Sequence, residues 1–138
     1  MNEFKLIVAG GREFAEFDLL CIELNDLAEG FYKDRAVSIV SGMARGADAL
    51  GVTFARMNHV KLYEFPADWA KDGRGAGYKR NAEMGNFADG LLAFWDGQSR
   101  GTANMIEYMQ SLKKPVHIVR YSTQPFPKAG PDVGDGGY

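Results

Sequence analysis

The sequence is poor in the residues that cross-link small folds or bind metals. It holds one cysteine and two histidines in 138 residues. A single cysteine cannot close an internal disulfide. Cys21, His59 and His117 stand far apart in the chain and leave a structural zinc site almost without ligands. No metal and no cofactor are therefore expected. Cys21 falls on the apolar face of a predicted helix and reads as a core residue in a reducing compartment. Nowhere does an apolar run approach the roughly 18 residues that a membrane span needs. The opening MNEFKLIVAGGR enters a strand pattern at once, without the pattern of a signal peptide. A cytoplasmic protein with no membrane partner is expected. Charge of one sign is lacking too. Sixteen basic residues face eighteen acidic ones, for a net charge of −2, so no general field attracts nucleic acid or anionic lipid. A local basic cluster remains open.

What the chain does have is an apolar share of 46%, enough for one core, and 17 glycines. Phe4 to Ala9 is a short apolar run ending in Gly10-Gly11, the pattern of a buried strand and a sharp turn. Phe17, Leu20, Cys21, Leu24, Leu27, Ala28 and Phe31 follow at helical spacing. Ala36 to Val40 is a second strand. Ala47, Leu50, Phe54 and Met57 mark a second helix. Val60 to Phe65 alternates as a third strand and stops at Pro66. Ala67 to Gly77 reads as a polar, glycine-rich loop, and Tyr78 to Phe87 as a short helix. Gly90 to Trp95 and Pro115 to Val119 are the fourth and fifth strands. Between them Thr102, Met105, Ile106, Met109 and Leu112 form a helical stripe. Strands alternating with helices indicate βαβ units, hence an α/β, Rossmann-like three-layer sandwich. With right-handed crossovers, we expect a five-stranded, mainly parallel sheet of order 3-2-1-4-5. Residues 1–120 form the one domain of this scheme, and 121–138 a glycine- and proline-rich tail.

Ligands of such sheets sit beyond the C-terminal strand ends, where the strand order reverses. Three glycine-rich turns fall on that edge: Gly10-Gly11-Arg12, Ser41-Gly42-Met43-Ala44-Arg45-Gly46, and Asp96-Gly97-Gln98-Ser99-Arg100-Gly101-Thr102. Glycine takes backbone angles other residues avoid and lets N–H groups approach an anion. A helix N-terminus adds free donors and partial positive charge. Each turn also carries an arginine that can fork onto phosphate or carboxylate. A tight βα turn would need a glycine in any case, so one such turn says little. Three together on the ligand edge say more. None is a P-loop, and none matches G-x-G-x-x-G. In the second turn Asp48 either favours the helix dipole or hydrogen-bonds a ribose, a base or the turn itself. Arg80 and Asn81 follow the glycine-rich loop. Arg80 points into the crevice if the loop folds over the sheet edge, and otherwise lies in solvent. Asp68-Trp69 and Trp95-Asp96 are aromatic–acid pairs near strand ends, where an indole either stacks on a base or packs in the core.

These segments resemble the SLOG superfamily, which includes the LOG phosphoribohydrolases and the Smf/DprA DNA-processing proteins. The resemblance is to the small stand-alone members found in bacteria and phages. It rests on VAGGR (8–12), SGMARGADALG (41–51), FPADW (65–69), GRGAGYKRNAEM (73–84) and ADGLLAFWDGQSRGT (88–102), and covers about residues 4–120. It implies a Rossmann-like fold for nucleotides or nucleotide-derived ligands. The LOG enzymes use an arginine in R-x-x-x-M and a glutamate in G-G-x-G-T-x-x-E. Arg80 and Met84 match the first, which makes Arg80 the catalytic residue if the chain is an enzyme. Gly101-Thr102 match the G-T of the second, but the glutamate position holds Met105. Glu107 lies about 200° further round a helix, on another face. Methionine cannot serve as a general acid or base.

Three functions are weighed. The first is a sensor or sequestering module for a nucleotide-derived phosphate ligand. It would be bound by Gly10, Gly11, Arg12, Ser41, Gly42, Ala44, Arg45, Gly46, Asp48, Asp68, Trp69, Arg80, Asn81, Gly97, Ser99, Gly101 and Thr102. The second is a LOG-like hydrolase of N-glycosidic or phosphate bonds. The third is a DprA-like binder of single-stranded nucleic acid, for which the net charge gives the weaker support. A homo-oligomer is also expected, because the resemblance implies self-association; the Met105/Met109 stripe suits that role as well as it suits a core.

Overall fold

The computed structural model describes residues 2–123. In chain order the elements are β1 (Asn2–Gly10), α1 (Phe17–Asp26), β2 (Arg35–Ser41), α2 (Ala47–Met57), β3 (Leu62–Glu64), α3 (Trp69–Asp72), α4 (Ala76–Phe87), β4 (Gly90–Trp95), α5 (Arg100–Ser111) and β5 (Val116–Arg120). The five strands form one sheet in the order β3-β2-β1-β4-β5, and every neighbouring pair is parallel. This is the α/β architecture and strand order the sequence predicts.

The central strands show why. Alternate residues of β1 and β4 enter two different cores. Leu6, Val8, Leu92 and Phe94 pack with Leu20 and Leu24 of α1 and with Phe54 and Ala55 of α2. Ile7, Ala9, Leu91 and Ala93 pack with Met84 of α4 and with Met105, Ile106 and Met109 of α5. A strand covered on both faces needs apolar residues throughout, which is why its sequence is a continuous run rather than an alternation. Met105 and Met109 are 1% and 0% exposed, so the methionine stripe lies inside this chain's own core. Cys21 is half-buried and packs against the first core.

Three segments differ from the sequence expectation. The third strand shrinks to Leu62–Glu64, because β3 is an edge strand paired with β2 alone among the described residues. The first helical stripe ends in a π turn, Leu27–Phe31, closed by the Tyr32 N–H donating to the Leu27 carbonyl at 2.7 Å. The wider turn rotates Phe31 out of the core to 70% exposure, where it lies on Tyr32 and His117. The Ala67–Gly77 loop is largely helical. The Asp68 carboxylate accepts from the Lys71 N–H at 3.0 Å and starts α3, a 3-10 turn over Gly73–Gly75 follows, and α4 begins at Ala76, two residues early. The glycines in this stretch masked an N-cap that the sequence does contain.

After β5 the chain stays docked at least through Tyr121. Its N–H donates to the Trp95 carbonyl at 3.2 Å, and its ring packs edge-on against Phe14, 4.9 Å between centroids. The rest of the expected tail, from residue 124 onward, lies outside the described residues. Among the described residues no helix is long and apolar enough to cross a membrane.

Candidate functional site

The C-terminal ends of β1, β2 and β4 meet above the middle of the sheet, and their turns are wired to one another. The Gly11 N–H donates to the Phe94 carbonyl at 3.1 Å. The Gly11 carbonyl accepts from the Phe14 N–H and from Ala47 N–H, the first of α2, each at 3.2 Å. Gly46 caps α2 at φ +81°, and a Cβ there would lie 2.2 Å from the Gly11 oxygen. Only glycine allows that approach. Gly46 is therefore a packing glycine that clamps the first turn to the second.

The second turn is held from below. Ser41 is fully buried. Its hydroxyl accepts from the Met43 N–H at 3.0 Å and faces the Asp48 carbonyl at 3.4 Å. The Asp48 carboxylate accepts from the Ala44 N–H at 3.3 Å. Of the readings open for Asp48, the bond to its own turn is the one seen. Asp48 is 5% exposed, and burial raises its pKa from 3.8 to about 6, against the pull of the Ala44 N–H and the Arg80 and Arg12 guanidiniums.

Arg80 does point into the crevice. Its Nη1 donates to the Gly42 carbonyl, and its Nε donates to Asn81 Oδ1 at 3.1 Å. A Cβ on Gly42 would stand 2.6 Å from that Nη1, so glycine here makes room for the guanidinium. Asn81 is 6% exposed. Its Nδ2 donates to Asn104 Oδ1 at 3.0 Å and to the Gly101 carbonyl at 3.3 Å. Asn81 thus ties Arg80 to the first turn of α5 and acts chiefly as a positioning residue. Burial lowers the Arg80 pKa, and Arg12 repels the same guanidinium while Asp48 attracts it.

In the third turn, Asp96 Oδ1 accepts from the Gln98 and Ser99 N–H groups, both at 2.8 Å. Those two bonds hold its carboxyl below the usual range. Ser99 caps α5, its hydroxyl accepting from the Thr102 N–H at 3.4 Å. Gly97 has φ +87° and lies under the Arg120 guanidinium. Trp95 donates its indole N–H to the Ser99 carbonyl at 3.1 Å and carries Arg120 over its ring. Trp95 is therefore part of the turn's own framework. Trp69 is the contrary case, 52% exposed over the cleft.

These turns enclose a cavity of about 490 Å³. Of the predicted residues it brings together Gly10, Gly11, Arg12, Ala44, Asp48, Trp69, Arg80, Asn81, Ser99, Gly101 and Thr102. A second cavity of about 560 Å³ adjoins it and shares Arg12, Ala44, Trp69 and Arg80 as walls. Gly42 and Arg45 line this second space, together with Met43, Pro66 and Ala67. Ser41, Gly46, Asp68 and Gly97 line neither cavity and instead shape the turns.

The sequence reasoning passed over Arg74, Tyr78, Asp96 and Tyr121 as site residues, and all four line the first cavity. Tyr78 and Asp96 lie inside motifs already noticed. Arg74 sat in a stretch read as loop, and Tyr121 in a stretch read as tail. Arg12 and Arg74 are exposed and have no hydrogen-bond or ion-pair partner among the described residues. Arg45 pairs with Glu13 at 3.3 Å in solvent. Met105, at the LOG glutamate position, also borders the first cavity, while Glu107 is exposed elsewhere. Among the described residues no group of His, Cys, Asp and Glu could hold a metal ion.

Residues 4–71 match the model of the YAcAr family, described as the YspA, cpYpsA-related SLOG family. No curated protein and no solved structure matches the chain. The matched stretch runs from β1 into α3. It takes in the first two glycine turns and Trp69, and ends before Arg80 and the α5 turn.

Proposed function

The chain belongs to the SLOG superfamily, and from that premise we propose that it binds a nucleotide or nucleotide-derived phosphate ligand at the C-terminal edge of the sheet, as a sensor or sequestering module. The observation that carries this is the pairing of Arg12 and Arg80 on one cavity wall. The two come from different elements and close on the same space. Asp48, a buried carboxylate that attracts both, neutralises at most one of the two charges. An anion completes that arrangement. The start of α5 also borders this cavity through Ser99, Gly101 and Thr102, and a helix N-terminus supplies free N–H donors. Trp69 and Tyr78 are about half exposed and offer faces on which a base can stack. Charge-assisted hydrogen bonds contribute roughly 1.5–3 kcal/mol each. Two or three of them with stacking correspond to about micromolar affinity once ordering costs are met. Met105 supports binding over hydrolysis, since the position that carries the LOG glutamate has no proton to give or take.

The test is calorimetric titration and thermal shift against nucleoside mono-, di- and triphosphates. Binding with a Kd near the micromolar range is expected, weakened at least tenfold in Arg80→Ala. No stabilisation by any nucleotide, or equal affinity in the variant, removes the proposal. Chromatography of the incubated nucleotides covers the hydrolase alternative: release of base or phosphate that Arg80→Ala abolishes would favour it.

A further inference from the structure

Resting on the nucleotide-binding reading above, we propose that the two cavities hold the two ends of one ligand, a nucleoside diphosphate esterified with a sugar on its second phosphate. The diphosphate lies over Arg12 and Arg80 at the wall the cavities share.

Three observations lead there. The first is continuity. The spaces of about 490 and 560 Å³ meet at Arg12, Ala44, Trp69 and Arg80, and each is large enough for a ligand fragment on its own. A monophosphate ends at its phosphate, so with that group on the arginines one cavity would stay empty. A diphosphate substituted at both ends continues into both.

The second is the free bonding capacity at the divide. Arg80 spends Nη1 on the Gly42 carbonyl and Nε on Asn81, which leaves Nη2. Arg12 has all its donors unspent among the described residues. Two guanidiniums on the wall the cavities share suit two linked phosphates better than one.

The third is the difference between the two spaces. Met43, Pro66 and Ala67 give the second cavity apolar walls beside the Trp69 indole, which suits a planar base. The first cavity has Asp96, whose Oδ1 takes both turn N–H groups and whose Oδ2 is left over, with the Ser99 hydroxyl nearby. An ionised carboxylate oxygen beside a hydroxyl matches the vicinal hydroxyls of a sugar.

The experiment is calorimetric titration of the full chain with AMP, ADP and ADP-glucose, and with UMP, UDP and UDP-glucose. In the better-bound series the sugar nucleotide is expected to bind at least tenfold more tightly than the plain diphosphate. Asp96→Asn keeps an oxygen for the turn N–H groups, and in this variant that ratio should fall below about three. Ala67→Trp fills the second cavity and should weaken the sugar nucleotide at least tenfold, with circular dichroism unchanged. Nucleotides that bind without preference for the sugar form overturn this inference and leave nucleotide binding standing. A preference that survives Asp96→Asn, or a sugar-nucleotide affinity untouched by Ala67→Trp, overturns it too. If none of the six compounds binds, both proposals fall together. Should Asp96→Asn not fold, the Ala67→Trp arm decides alone.

Discussion

Replacing Asp48 by asparagine should stabilise the protein above pH 6 and do little below pH 4. Asp48 is 5% exposed, and burial raises its pKa from 3.8 to about 6 in spite of Arg80 and Arg12. A carboxyl whose pKa is raised on folding binds its proton more tightly in the native state. Its contribution is therefore most favourable below the unfolded pKa, and it is lost as the pH rises through the folded one. At about 1.4 kcal/mol per pH unit, the span from 3.8 to about 6 corresponds to about 3 kcal/mol. Asparagine keeps an oxygen for the Ala44 N–H, so the turn is not undone. Urea denaturation of both proteins from pH 3.5 to 8 is the assay. The stability of Asp48→Asn relative to the parent should climb between pH 4 and 6 by up to that amount and then level off. Parallel curves would mean that burial of the carboxylate is not costly. A parent that gains on the variant as pH rises would mean that attraction to Arg80 outweighs burial, and the reasoning would be refuted.

Three further outcomes follow from the same geometry. An anionic ligand that does not itself titrate, such as a diphosphate diester, should bind more tightly as pH falls from 7 to 5, because Asp48 loses its charge beside Arg80; calorimetry across that range checks it, and Asp48→Asn should flatten the profile. Gly46→Ala places a Cβ 2.2 Å from the Gly11 oxygen at φ +81°, and should cost about 2–3 kcal/mol or more in urea denaturation; a loss under about 1 kcal/mol would show that the two turns are not clamped. Asn81→Ala frees Arg80 Nε and the first turn of α5, and should weaken nucleotide binding about tenfold, as measured by calorimetry.

Most of the fold was legible because its signal is local. β1 and β4 are continuous apolar runs, each followed by a glycine turn and a helical stripe, and that alternation together with crossover handedness leaves one natural strand order. The segments that differ are those where a single hydrogen bond or a missing neighbour decides. Asp68 caps a helix amid glycines, Tyr32 closes a π turn, and β3 lies at the sheet edge beside β2. At the candidate site, the sequence showed the edge on which the glycine turns fall but not which glycines line a cavity. Gly46 and Gly97 are as glycine-rich in context as Gly10 and Gly11. Both have positive φ and pack against other parts of the protein rather than lining a cavity. That distinction depends on what lies across the turn, which no spacing rule contains.

The same dependence explains where the cavity carries its acid. By the LOG pattern a carboxylate is sought on α5, and the position holds Met105, 1% exposed and packed in the core with Met84 and Met109. A glutamate there would have to bury its charge among methionines, which is costly unless it is paired. The cavity carries its buried carboxylate on α2 instead, at Asp48, where the Ala44 N–H and Arg80 offset part of that cost. Asp48 holds the turn while its charge remains adjustable near neutral pH. A site built this way keeps Arg80 in place in the absence of ligand. It also places its titrating group beneath the arginines that would hold a phosphate, so that proton uptake and anion uptake favour each other.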